Sequence, residues 1–178
     1  MKPMLSAALA GALVLASVPC HAQGAGPTDP QIAAIVVTAN QVDIDAGRLA
    51  ASKTRTKDVK AFADQMIADH SGVNKAATDL VHRLGVKPED NPTSKSLEQG
   101  GEANVANLKK MEGKRFDKAY IDHEVIYHVT VLDALDKTLI PSAQNAELKA
   151  LLVEVRPAFV AHLEHARQLQ ASLEKSGG

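Results

Sequence analysis

Between Val59 and Leu84 an apolar or small side chain recurs every three or four residues, at Val59, Ala63, Met66, Val73, Ala77, Leu80 and Leu84, and the one break at the centre of the stripe is His70. That period predicts an amphipathic helix over about Thr56–Leu84, because the apolar positions of a strand would alternate. Thr56 stands where an N-cap is needed, Asp58 lies in the first turn where the helix dipole favours an anion, and Gly85 follows as a left-handed terminator. A histidine inside a buried stripe costs free energy unless its ring nitrogens find partners. Other segments must therefore bring polar groups to the same level.

Three further segments do so in the sequence pattern. The first helix is expected over about Pro30–Ser52, capped by Asp29, with the stripe Ile32, Val36, Ala39, Asp43, Ala46 and Ala50 flanked by Ile35, Val42 and Leu49. The third is expected over about Lys114–Lys137, with Ile121, Val125, His128, Leu132, Leu135 and Leu139 in line, Glu124 one turn before His128, and Tyr120, His123 and Tyr127 on the adjacent face. The fourth, about Ala146–Leu173, carries Leu148, Leu152, Val155, Phe159, His162, Ala166, Leu169 and Leu173, and Pro157 should kink it just before His162.

The connections arrange these helices. Lys53–Thr56 is tight enough to force the first two into an antiparallel hairpin, which brings Asp43 and His70 within about one turn of the same height. Gly85–Gly113 is long and punctuated by Lys87-Pro88, Asn91-Pro92-Thr93 and Gly100-Gly101, while Val105, Leu108 and Met111 point to a short helix within it. The expected fold is all-α: a ferritin-like antiparallel four-helix bundle with one long crossover connection carrying a short helix. His162 lies further from the Pro141 turn than His128 does, so the two share a level only if the third helix continues through Leu139.

The N-terminus reads differently. Lys2, the apolar run Leu5–Val18 and the small residues around Cys20-His21-Ala22 form the pattern of a secretory signal cleaved after Ala22, with Pro19 arguing against a lipid-anchored Cys20. The domain organisation expected is thus a signal over 1–22, a flexible mature N-terminus over 23–28 and the helical domain over 29–175, placed in the periplasm or cell envelope. Cleavage would remove the one cysteine of the chain, leaving burial to supply stability. A formal net charge of -1 and the absence of a basic face speak against nucleic-acid binding, and no later apolar run is long enough to span a bilayer.

Asp43, His70, His128 and His162, one from each long helix, carry the chemistry. A lone core histidine is ordinarily a hydrogen-bonded core residue, but facing side chains in a bundle core are how helical proteins build metal sites. Three nitrogens and one oxygen suit a single divalent transition metal (zinc, manganese, iron or copper), with Asp69 or Glu124 orienting a histidine from behind. The alternative is a metal-free hydrogen-bonded layer that fixes helix register in a non-catalytic envelope protein, its outer faces meeting a protein partner. No Glu-x-x-His pair occurs, which leaves out di-iron chemistry. With no mature cysteine nucleophile, no Gly-x-Ser-x-Gly and no phosphate-cradling glycine loop, enzymatic activity is not the default expectation.

Several local strings also resemble a known family. Asp43-Ile44-Asp45-Ala46-Gly47-Arg48-Leu49-Ala50, Val59-Lys60-Ala61-Phe62-Ala63, Met66, Asp69-His70, Phe116-Asp117-Lys118-Ala119-Tyr120, His128, Pro157 and His162-Leu163 together look like the bacterial exported domain of unknown function four-one-four-two. The resemblance covers almost the whole mature chain and implies a ferritin-like four-helix fold and an exported or outer-membrane location. It implies no activity.

Overall fold

The computed structural model describes residues 26–177, and every element among them is helical. The expected signal segment lies outside the described residues. The helices are α1 (Asp29–Lys53), α2 (Lys57–Arg83), α3 (Pro92–Leu108), α4 (Gly113–Ala134) and α5 (Ala146–Gly177). Between α4 and α5 the chain continues through a π-helical turn, Leu135–Leu139, and one short turn, Ile140–Ser142.

The helix ends use the expected residues, but with more distant partners. Thr28 caps α1, its N–H donating to Gln31 Oε1 at 3.1 Å, and the helix begins one residue before Pro30. Asp29 is not the cap. Its carboxylate accepts from the backbone N–H groups of Gln144 and Asn145, both at 2.9 Å, and clamps the connection before α5 onto the start of α1. Thr56 holds the cap position of α2 in an extended conformation, yet its hydroxyl donates to Asp117 Oδ2 of α4 at 2.5 Å. At the other end of α2, Gly85 adopts φ 64° and the Val86 N–H returns to the Val81 carbonyl at 2.9 Å, the 6→1 bond of a Schellman motif.

The crossover differs from the expectation of a short helix. Asn91 accepts from the N–H groups of Thr93 and Ser94 at 3.1 Å and Pro92 takes the first helical position, so α3 starts well before Gly100-Gly101 and runs through both. Gly101 is there for contact rather than for a turn. A Cβ on it would lie 2.6 Å from Val42 Cγ2, so only glycine lets α3 approach α1 this closely.

Two apolar clusters form the interior. One joins Ala46, Ala50, Val59, Phe62, Met66, Phe116, Tyr120, Ala166 and Leu169. The other joins Ile32, Val36, Ala77, Leu80, Leu135, Leu139, Leu148, Leu152 and Phe159. The C-terminal half of α1 therefore meets the N-terminal half of α2, and the N-terminal half of α4 meets the C-terminal half of α5, so each pair is antiparallel. Between the clusters, at mid-height of α1, α2, α4 and α5, the buried residues turn polar: Asn40, Asp43, His70, Glu124, His128 and His162.

The far end of α4 brings His128 level with His162. The helix carries on past Ala134 through Leu139, as a shared level requires, but as a π turn in which the Ile140 N–H reaches back to the Leu135 carbonyl. Pro141 explains the widening, because its ring crowds the carbonyl four residues earlier and it has no N–H to give. The bidentate pair from Arg156 to Asp136, at 2.6 and 2.8 Å, ties this turn to α5. α5 is continuous through Pro157, which has no N–H to give to the Val153 carbonyl one turn earlier.

The two adjacent glycines of α3 supply a test of this packing. Gly100→Ala meets no atom within 4 Å and gains helix propensity, so it should stabilise by roughly 0.5–1 kcal/mol. Gly101→Ala drives a methyl into the stiff Val42 side chain, an overpacking cost of about 1–3 kcal/mol that exceeds the same gain. Urea unfolding of the two variants should move in opposite directions; a stabilised Gly101→Ala would refute the close α1–α3 contact.

Candidate functional site

The four central residues of the sequence pattern meet in one layer. Asp43, His70, His128 and His162 each expose 2% of their surface or less, as do Asn40 and Glu124. The rings of His70, His128 and His162 stand 5.3–5.6 Å apart, centroid to centroid, and one nitrogen of each lies within 4.8 Å of those of the other two. Asp43 Oδ2 is 3.1 Å from His70 Nε2 and 3.6 Å from His128 Nε2.

The partners of the rings decide which nitrogens are free. Asn40 donates through Nδ2 to the Val36 carbonyl at 2.8 Å, which turns its Oδ1 toward His70 Nδ1 at 2.7 Å. An oxygen there accepts, so His70 carries its proton on Nδ1 and its lone pair on Nε2. In His128 the Nδ1–H donates to the Glu124 main-chain carbonyl at 3.0 Å, again leaving Nε2 with the lone pair. In His162 the Nε2–H donates to Asp69 Oδ2 at 2.8 Å, and the lone pair falls on Nδ1. Those three lone-pair nitrogens receive no main-chain, amide or hydroxyl donor, and the Asp43 and Glu124 carboxyls face each other within hydrogen-bond reach. Each ring is thus anchored by one nitrogen and presents the other to the layer.

Two residues differ from the pattern in the sequence. Asn40, not singled out there, sits three residues before Asp43 on the same face of α1, a spacing that could have revealed it. Glu124 does orient His128, but with its main-chain carbonyl; its carboxylate is itself in the layer, grouped with Asp43 and His128 within 4.8 Å. Asp69 holds His162 from the surface side. Tyr127, from the adjacent face, donates its hydroxyl to the Ala39 carbonyl at 2.8 Å, Tyr120 packs edge-on against Phe62, and His123 stacks on Tyr127.

Burial sets the protonation of the layer. Desolvation disfavours every charged form, pushing His70 down to about 2 and His128 down to about 4, in each case reinforced by neighbouring histidines. His162 is lowered by the same cause, partly offset by Asp69. Desolvation raises Asp43 to about 7, and raises Glu124 well above the carboxylate range with the Asp43 carboxyl adding to the effect. Below about pH 7 the layer left to itself is neutral imidazole facing protonated carboxyl.

What these features define is a class: an all-α protein with a buried histidine–carboxylate layer at the middle of its helices. The chain belongs to the family described as domain of unknown function (DUF4142), whose model matches residues 16–169. No curated protein and no solved structure matches it.

The pH dependence of the metal-free protein follows from these shifts. The histidines, including His123, whose burial also lowers it, have depressed values in the fold. Their contribution is present above the unfolded value of about 6.5 and is lost as pH falls below it. Asp43 and Glu124 have raised values, so their contribution is present below pH ~4 and is lost as pH rises toward and past ~7. The opposing slopes cross near pH ~6.5. Chelator-treated protein should therefore melt highest near that pH and lower on either side, and Asp43→Asn should flatten the alkaline decline. A melting temperature that climbs steadily from acid to mildly alkaline pH would contradict this protonation scheme.

Proposed function

We propose that the protein is an exported, ferritin-like four-helix bundle that binds one divalent transition-metal ion in its polar layer. The observation that carries this reading is the meeting of three buried imidazoles, whose free nitrogens are His70 Nε2, His128 Nε2 and His162 Nδ1, beside the Asp43 carboxyl. Fixing the outer nitrogen of each histidine by hydrogen bond is how proteins select the ligating tautomer. A nitrogen-rich set with one carboxylate suits zinc, copper, iron or manganese, and imidazole favours the first three over hard oxygen-seeking ions. Asp43 would supply the oxygen, and Glu124 would accept a hydrogen bond or a proton beside it.

The metal-free structural layer is supported less well. Such a layer should satisfy its own acceptors, whereas two carboxyls that also face each other leave at least one of the three imidazole lone pairs without a donor, at a cost of roughly 1–3 kcal/mol for each buried group. The secretory pattern of residues 1–22 supports export, and no described helix is long and apolar enough to cross a membrane.

The test is a melt of tag-free wild type and His70→Ala, each with excess ion and with chelator. An ion at a hundred times its Kd should stabilise wild type by about 2.7 kcal/mol, a rise of roughly 5–10 °C for a domain this size. His70→Ala should lose most of that rise. If the variant is destabilised equally with ion and with chelator, the metal reading is wrong and the layer is structural.

A further inference from the structure

The candidate ligands are closed off from above and below by apolar clusters, so any ion must reach them through a side wall. On one side Phe159 stacks on His70 at 5.0 Å and offers no polar atom. On another, Tyr127 stands between the layer and a groove of about 500 Å³ between α3 and α4, lined by Val42, Leu97, Gly101, His123 and Ile126. That groove is apolar for most of its lining, and the Tyr127 hydroxyl is spent on the Ala39 carbonyl.

The seam between α2 and α5 is different in chemistry. His165 Nδ1–H donates to Gln65 Oε1 at 3.3 Å, Gln65 Nε2 donates to Asp69 Oδ2 at 3.4 Å, and the same oxygen accepts from His162 Nε2 at 2.8 Å. The amide orientation of Gln65 is consistent with both of its bonds. This chain of polar groups leads from solvent to a candidate ligand: the Asp69 side chain is 44% exposed and that of His162 is 1% exposed. Among the candidate ligands, only His162 has a surface carboxylate as the partner of its outer nitrogen; those of His70 and His128 are held by the buried Asn40 and by main chain.

We propose that this seam is the route by which a divalent cation enters and leaves the layer, with Asp69 as the capture carboxylate and His162 as the group that passes the ion inward. The inference rests on the metal reading above. An exposed carboxylate attracts a hydrated cation, and one hydrogen bond, His162 Nε2–H to Asp69, is all that holds the ring from the surface side. A swing of the His162 side chain that breaks this bond carries a ligating nitrogen between seam and layer. Asp69 is in this role a positioning and capture residue, not a ligand of the final site.

Stopped-flow zinc uptake by the full tag-free chain, paired with an equilibrium Kd from dye competition, tests the route. Asp69→Asn is isosteric, and its amide oxygen can still accept from His162. It should slow association roughly tenfold and weaken its dependence on salt, because a cation-attracting charge is gone. Gln65→Glu adds a carboxylate to the same seam and should speed association. Tyr127→Phe, which releases the wall on the groove side, should take up zinc at the wild-type rate. Uptake unchanged in both Asp69→Asn and Gln65→Glu, or altered chiefly in Tyr127→Phe, overturns the route while leaving the metal reading standing. A wild type that takes up none of zinc, copper, iron or manganese overturns the metal reading and the route with it.

Discussion

The arrangement depends on satisfying imidazoles that have been taken out of water. A buried neutral histidine has one donor and one acceptor to place, and leaving either unpaired costs roughly 1–3 kcal/mol, more than a hydrogen bond between neutral groups contributes net. The donors are placed, on Asn40, on the Glu124 carbonyl and on Asp69. The acceptors are not. They face one another and two carboxyl groups that the same desolvation keeps protonated below neutral pH. A protonated carboxyl can donate to one imidazole, and the 3.1 Å separation of Asp43 from His70 allows that, but two carboxyls cannot complete three rings at the distances observed. A dication held by the three imidazoles and the Asp43 carboxylate would fill all three lone pairs at once, which is what favours the proposed metal reading.

Placing such a layer at mid-height is possible because the apolar clusters on either side fix the helices independently of it. Met66 and Val73 lie one turn before and one turn after His70 on the α2 stripe, and Ile121 of α4 and Leu135 of the following π turn bracket Glu124 and His128. The clusters determine register; the layer inherits it. The close approach at Gly101 and the Asp29 clamp act at the periphery in the same sense, holding α3 and the α4–α5 connection against α1.

Much of this was legible in the sequence, and the residues that were not have a common reason. Helical period alone placed Asp43, His70, His128 and His162 at the centres of four stripes, because burial on one face of a helix writes itself into every third or fourth residue. Features that depend on a partner remote in sequence could not be read that way. Asp29 and Thr56 have the local chemistry of caps, yet their partners lie 115 and 61 residues away. Gly100-Gly101 has the composition of a turn, and only the presence of Val42 opposite Gly101 makes it a helix contact. Glu124 was within side-chain reach of His128 by spacing, but spacing does not tell a carboxylate from a main-chain carbonyl as the acceptor.

The independence of clusters and layer also bears on what a bound ion would do to the protein. In small zinc domains the metal supplies the core, so removing it unfolds the chain. Here the helices already bury Phe62, Phe116, Tyr120 and Ile121 on one side of the layer and Ile32, Leu135 and Leu152 on the other, all nearly inaccessible to solvent. The candidate ligands consequently rest at their positions before an ion arrives, with His162 leaving its place only in passing, and little ordering is charged against binding. What does oppose binding is the displacement of protons from Asp43 and Glu124, so affinity should strengthen as pH rises through neutrality, in the same range where the metal-free protein weakens. The layer is least comfortable empty under the conditions in which it would hold an ion best.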